Sequence, residues 1–158
     1  MNDPVNFVDP LGLCPCGNPQ DVINSARGDT RDWSSGADRS DVNRGFGSPS
    51  NKCNLFADTH YENAGYNLPN VGGGAFAQLF GLYPPGAQNL SDPNFVVSGW
   101  PVVTGPAGPG DLLARGGHVA ISTGNGMAIS ASPNGIVENN WAYRAGRGAP
   151  VIRRCMCP

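Results

Sequence analysis

The sequence predicts a small α+β domain in which one main helix precedes an antiparallel sheet. Residues 50–64 place Leu55, Phe56 and Tyr61 on part of an apolar helix face, and Gly65 follows as a natural stop. The last part of the chain consists instead of short β-branched or alternating runs separated by turn signals. A helix followed by a series of strands is the order typical of an α+β layout.

The chain before the main helix is predicted to be rich in loops. Residues 1–13 are expected to form an extended lead punctuated by Pro. Residues 17–48 form a polar stretch with one short helix at 19–26. Either Ser50 or Asn51 is then expected to cap the main helix, because both side chains can accept a hydrogen bond from its first turn.

A Pro- and Gly-rich region separates the main helix from the strands. We expect a second short helix at 75–80 and a strand at 95–98, the latter within a long loop over 83–110. Strands are predicted at the segments DLLA, HVAIST, MAISAS, IVENNWAY and VIRR. Asn125-Gly126 is a strong hairpin signal between two of them.

Length and charge narrow the classes of function. A chain of 158 residues without an internal repeat suits one compact domain. Its net charge of −2 and its charged fraction of 14% do not suggest a basic surface for nucleic-acid phosphates. No run of about 18 apolar residues is present. We therefore expect neither nucleic-acid binding nor a membrane span.

Four of the five cysteines lie close to the two ends of the sequence. Cys14 and Cys16 form one C-x-C pair, Cys155 and Cys157 form another, and Cys53 is the odd one. The pairs can form two disulfides, bind a structural zinc, or remain thiols. We favour disulfides, because a zinc site usually spaces its cysteines C-x2-C. Disulfides would indicate an oxidising compartment, with Cys53 left as a thiol.

Cys53 falls in the first turn of the predicted main helix. There the helix dipole and the unpaired backbone N–H groups favour an anion, which lowers the pKa of a thiol and supplies donors for an oxyanion. His60 lies two helical turns further on, too far along the axis to reach the sulfur. His118 begins a predicted strand after a Gly-Gly turn, so it can face the helix start as a base. A small buried cysteine and a solvent-facing histidine are the structural alternatives.

Three segments carry a family pattern: NKCNLFADTHYENAG, PGDLLARGGHVAIST and GNGMAISAS. Together they resemble the papain-like cell-wall amidases and endopeptidases, including the CHAP branch. In that superfamily a Cys at a helix N-terminus meets a His at the start of a sheet strand, after a PGD turn. The resemblance covers roughly residues 50–154, with a gap in the Pro/Gly loop. It implies a papain-like fold with Cys53 as nucleophile and His118 as general base and then acid, and we expect no cofactor.

A third polar residue is expected to hold the imidazole through its other nitrogen. The segment VENNWAYR resembles the E-x-N-W segment of the CHAP branch, which nominates Glu138 and Asn140 on one face of a strand. Another branch has a histidine twelve residues after the first, where this chain has Ser130, which we do not expect to replace it. We favour Asn140, because a neutral amide orients the imidazole in papain-like sites.

The segment NDPVNFVDPLGL follows the pattern P-x4-D-P-x-G-L. It resembles the end of the core of Rhs-repeat polymorphic toxins, after which a variable toxin domain begins. The resemblance implies that residues 1–13 close the Rhs core with a self-cleavage motif and that residues 14–158 are the released toxin domain. It also implies delivery into rival cells, often by a type VI secretion apparatus, and a cognate immunity protein. A Pro-rich linker is the alternative.

Together the two resemblances predict an antibacterial effector that hydrolyses peptide or amide bonds of peptidoglycan in the periplasm of a target cell. Its expected partners are the peptidoglycan peptide, the immunity protein and the Rhs shell or secretion apparatus. One alternative is a cysteine protease, deamidase or acyltransferase that acts on a cytoplasmic protein, where end disulfides would not be expected. A non-catalytic wall-binding module is the other alternative.

Overall fold

An antiparallel sheet with helices packed on one side forms the fold, in a computed structural model that describes residues 16–47, 49–72, 81–140 and 148–156. The described helices are α1 (Pro19–Gly28), α2 (Cys53–Asn63) and α3 (Ala87–Ser91), with a 3-10 turn at Arg44–Phe46. The described strands are β1 (Val102–Val103), β2 (Leu112–Arg115), β3 (His118–Gly124), β4 (Met127–Ser132), β5 (Gly135–Asn140) and β6 (Val151–Arg153). The predicted α+β class is confirmed, and none of these helices is long and apolar enough to cross a bilayer.

The strands lie in the order β1-β6-β2-β3-β4-β5, and every neighbouring pair is antiparallel. The predicted Asn125-Gly126 turn connects β3 to β4, with φ of 54° and 74° at its two residues. Strand β6 inserts between β1 and β2, so the end of the described chain lies inside the sheet.

Successive side chains along each strand point to opposite sides of the sheet, so the two sides carry different residues. The helix side packs against α1 and α2 through Leu112, Ala114, Val119, Ile121, Ile129 and Ala131. The opposite side carries a smaller apolar cluster of Leu113, Ala120 and Ala128. The main core therefore lies between the helices and the sheet, as the predicted layout requires.

Local sequence explains both long helices. The Asn18 side chain caps α1 by accepting the backbone N–H of Gln20 at 2.8 Å, which confirms the short helix predicted there. The predicted apolar residues of α2 are buried, and Gly65, with φ of 80°, follows its C-terminal end as expected. The predicted cap of α2 was wrong: Lys52 holds the N-cap position, and no side chain caps the helix.

The segment before β1 departs most from prediction. α3 replaces part of the expected loop, and the strand predicted at 95–98 is wrong, since these residues form turns and irregular backbone. The guanidinium of Arg153, which is 1% exposed, donates hydrogen bonds of 2.8–3.3 Å to four carbonyls of this segment. They belong to Leu90, Asp92, Phe95 and Trp100. A side chain from β6 thus supplies the hydrogen bonds that these carbonyls would have made to a neighbouring strand.

Several predicted elements lie outside the described residues. They are the lead at 1–13, the short helix at 75–80 and the part of the predicted strand IVENNWAY that lies beyond residue 140.

A disulfide joins Cys16 to Cys155, with 5.7 Å between the two Cα atoms. This confirms that the two C-x-C pairs are linked and excludes these two sulfurs as thiolate ligands of a zinc ion. Cys14 and Cys157 lie outside the described residues. The bridge closes a separation of 139 residues, which is nearly the whole chain.

Asp58 and His60, both buried on α2, have shifted pKa values. Burial raises the pKa of Asp58 to about 7, with a smaller contribution from the negative charge of Glu62. Burial lowers the pKa of His60 to about 4, against the opposing attraction of Asp29. His60 Nδ1 lies 2.8 Å from the Ser25 hydroxyl and Nε2 lies 3.2 Å from an Asp29 oxygen. The imidazole is therefore neutral at pH 7 and is held within the core.

Reduction of the protein is expected to lower its free energy of unfolding by about 5 kcal/mol, because the unfolded chain regains the entropy of a loop of 139 residues. Urea unfolding with and without reductant measures this difference. Intact mass without reductant should show a loss of two hydrogens for the bridge seen here, or four if Cys14 and Cys157 also pair. Equal stability in the two conditions would contradict the prediction.

Asp58 and His60 are expected to change the stability of the fold with pH in opposite directions. Between pH 4 and 6.5 the unfolded chain binds more protons at His60 than the folded chain, so this group makes stability rise with pH. Between pH 3.8 and about 7 the folded chain binds more protons at Asp58, so this group makes stability fall with pH.

The variant Asp58→Asn should therefore gain stability relative to the wild type as pH rises, by up to about 1.4 kcal/mol per pH unit. The matched variant His60→Gln should show the opposite trend. Urea unfolding at several pH values between 4 and 6.5 measures both differences. Two parallel stability curves for wild type and Asp58→Asn would show that Asp58 does not titrate in this way.

Candidate active site

Cys53 is the first residue of α2, and its side chain is 3% exposed. It takes no part in the Cys16–Cys155 disulfide. The first N–H groups of α2 have no carbonyl partner within the helix, and no side chain caps this end. Together with the helix dipole, they favour negative charge close to the sulfur. The predicted position of Cys53 at a helix start is confirmed.

His118 is the first residue of β3 and is half-buried. It follows a tight turn through Gly116 and Gly117, whose φ values of 55° and 77° favour glycine. Its Nε2 lies 3.0 Å from the Ser130 hydroxyl oxygen on β4. The turn and this contact hold the imidazole from two sides.

Ser130 is 4% exposed and lies on the same side of the sheet as His118. Alternation along β3 puts His118 on the side of Ala120, and alternation along β4 puts Ser130 on the side of Ala128. A hydroxyl can accept a hydrogen bond from Nε2–H while Nδ1 accepts a proton elsewhere. The Ser130 hydroxyl therefore contacts one nitrogen of the ring, although we did not expect Ser130 to replace a histidine at this position.

A cavity of about 240 Å³ lies between His118 and the two residues that precede α2. Asn51 and Lys52 line one part of it, and the turn that leads to His118 lines another. Because Asn51 and Lys52 come directly before Cys53, the structure brings the entrance of the cysteine helix and the histidine strand together. Ser132 and Pro133, at the end of β4, complete the wall.

A buried lysine fixes the approach to Cys53. Lys52 is 2% exposed, and its ammonium donates hydrogen bonds to the carbonyls of Ser34, Ser35 and Ser50 at 3.4, 3.1 and 2.8 Å. Burial lowers the pKa of Lys52 from its ordinary value. Sequence reasoning missed this residue, since a lysine before a helix is usually solvated.

The two residues predicted on β5 lie away from the imidazole. Asn140 pairs with Met127, which pairs in turn with Gly124 at the far end of β3 from His118, about 20 Å along the strand. Glu138 accepts two hydrogen bonds from Arg27 of α1, at 2.6 and 2.9 Å, and these bonds lower its pKa. The register therefore does not support the orienting role that we predicted for Asn140.

The arrangement has the parts that acyl transfer to sulfur requires. A thiol stands at a helix start with N–H donors, a half-buried imidazole lies at the start of β3, and a hydroxyl contacts the ring. No protein-family model matches the chain, and no curated protein matches it in sequence. What the domain does is therefore inferred from these residues.

Proposed function

We propose that the domain is a cysteine-dependent hydrolase in which Cys53 is the nucleophile and His118 its base. The observation that carries the proposal is the cavity that His118 shares with the two residues before Cys53. The contact between His118 and Ser130 supports it, because an oriented imidazole is what a thiol nucleophile needs. Ser130 takes the positioning role in place of Asn140.

In the proposed reaction, His118 Nδ1 removes the Cys53 proton, and the thiolate attacks the carbonyl carbon of an amide. The oxyanion accepts hydrogen bonds from the first N–H groups of α2. The protonated imidazole then gives its proton to the leaving amine, which leaves a thioester on Cys53. Water, deprotonated by His118, hydrolyses the thioester and regenerates the thiol.

The Cys16–Cys155 disulfide supports action in an oxidising compartment rather than the cytoplasm. We infer that the substrate is the peptide of peptidoglycan in the periplasm of a target cell. The domain is then the toxin of an Rhs-type effector, released from its shell and neutralised in the producer by an immunity protein. The N-terminal motif NDPVNFVDPLGL supports this origin.

Cys53→Ala and His118→Ala are each expected to lower the rate of peptidoglycan cleavage by about 10³-fold or more, because nucleophile and base act as a unit. The double variant should be no worse than either single one. Mass spectrometry of purified peptidoglycan after digestion measures the products and the cleaved bond. Strictly additive losses would argue against a dyad.

His60→Gln is the matched histidine control for this experiment. His60 is buried on α2 and contacts Ser25 and Asp29, so its loss should reduce stability while the folded variant keeps its cleavage rate. Full periplasmic toxicity of folded Cys53→Ala would exclude the enzyme proposal and leave a binding module.

Ser130→Ala is expected to slow both cleavage and iodoacetamide labelling of Cys53 by about tenfold, the effect of one hydrogen bond of about 1.4 kcal/mol. Ser130→Thr, which keeps the hydroxyl, should retain most of both rates. Because labelling needs no substrate, it separates ring positioning from substrate binding. A Thr variant as slow as the Ala variant would point to packing rather than to the hydroxyl.

A further inference from the structure

A second cavity, of about 580 Å³, lies on the side of the sheet away from the helices. Leu113, Met127 and Ile152 give it an apolar wall, and the loop that follows β1 covers part of it. Arg115 is the charged residue among the described residues that line it. A mainly apolar cavity with a few polar groups has the composition of a site for a small ligand or a side chain.

Arg115 connects this cavity to the candidate active site. The register of β2 and β3 pairs Arg115 directly with His118, so their side chains are neighbours on one side of the sheet. Arg115 is 8% exposed, and its Nη1 donates to the Gly148 carbonyl, which fixes the guanidinium.

We propose that this cavity binds an acidic residue of the peptide substrate, with the carboxylate on Arg115 and the aliphatic stem on the apolar wall. The inference rests on the proposed function and adds a substrate class to it. Charge complementarity carries it: a buried guanidinium in an apolar wall favours a carboxylate, which its planar fork binds in two-point geometry.

The spacing of the two residues assigns the acidic residue a place in the substrate. Directly opposed residues of an antiparallel pair have Cβ atoms roughly 5 Å apart. A bond held at His118 and a side chain held at Arg115 are therefore separated by about one residue of extended peptide. The acidic residue adjoins the cleaved bond.

Calorimetric titration of the full chain carrying Cys53→Ala tests the proposal without any need for catalysis. One probe is the muropeptide mixture released by a muramidase, compared before and after its carboxylates are converted to methyl amides. The other is acetyl-Ala-Glu-Ala-Ala-amide, compared with the same peptide containing Gln. Each amidated probe should bind about 10- to 100-fold more weakly, the effect of losing charged hydrogen bonds.

Arg115→Gln, added to Cys53→Ala, should abolish that difference. The matched control Arg44→Gln, which changes an exposed arginine of the 3-10 turn, should keep it. Equal affinity for the acidic and amidated forms of both probes, or no binding of either, overturns the inference. The comparison of acidic with amidated probes on the Cys53→Ala protein tests the inference even if Arg115→Gln fails to fold. If Arg115→Gln folds and still prefers the carboxylate form, the inference is overturned.

The outcomes separate this inference from the proposed function. An Arg115-dependent preference for the Glu peptide, without binding of muropeptides, supports the acidic subsite and contradicts peptidoglycan as the substrate. Cleavage of peptidoglycan by the wild type, with no carboxylate preference of the Cys53→Ala protein for either probe, supports the hydrolase and overturns the subsite.

Discussion

The buried ammonium of Lys52 determines where α2 begins, and the candidate site depends on that point. It holds three carbonyls of the loops that precede the helix, while the backbone N–H of Ser50 bonds the carbonyl of Ser35 at 3.0 Å. Ser50 is thereby held in the loop and is not available to cap the helix. Loss of the ammonium would remove one donor from each of these carbonyls. Those of Ser34 and Ser35 would keep the backbone N–H groups of Ala37 and Ser50, whereas a buried carbonyl left without a donor costs about 1–3 kcal/mol. The position of Cys53 relative to His118 follows from this contact.

Hydrogen bonds from a side chain to loop carbonyls recur elsewhere in the fold. A chain with 23 Gly and 15 Pro has long irregular segments whose backbone groups need partners. Arg153 serves the segment around α3, as described above. The Trp100 indole donates to the Asn67 carbonyl at 2.7 Å, and the Tyr61 hydroxyl donates to the Gly110 carbonyl at 3.0 Å. Long side chains thus replace the hydrogen bonds that helices and strands would have supplied.

Local patterns were sufficient to predict the fold class, α1, α2 and the turn between β3 and β4, because each depends on neighbours in sequence. The contact between His118 and Ser130 depends on a shift of register between Ser122 and Gly124. Without that irregularity, the same two-residue turn would pair β3 and β4 one residue differently, and Ser130 would face the other side of the sheet from His118. A spacing of twelve residues does not reveal such a shift.

The failures around α3 have a different cause. The carbonyls of that segment are satisfied by Arg153, more than 50 residues further along the chain. A local pattern carries no information about a partner so distant. Within the segment predicted as a strand at 95–98, Phe95 and Val97 pack against the core, and the backbone forms turns. Such non-local bonds become visible only once the sheet has brought β6 beside β2.

The bridge between Cys16 and Cys155 also decides how the fold responds to mechanical load. Tension applied across these two cysteines passes through a covalent bond, so the 139-residue loop between them carries none of it. Without the bridge, the same pull would act on β6, which lies inside the sheet and would have to leave its place between β1 and β2. An oxidised domain drawn by its ends is thus protected from unfolding, whereas a reduced one yields first at the strand that completes the sheet.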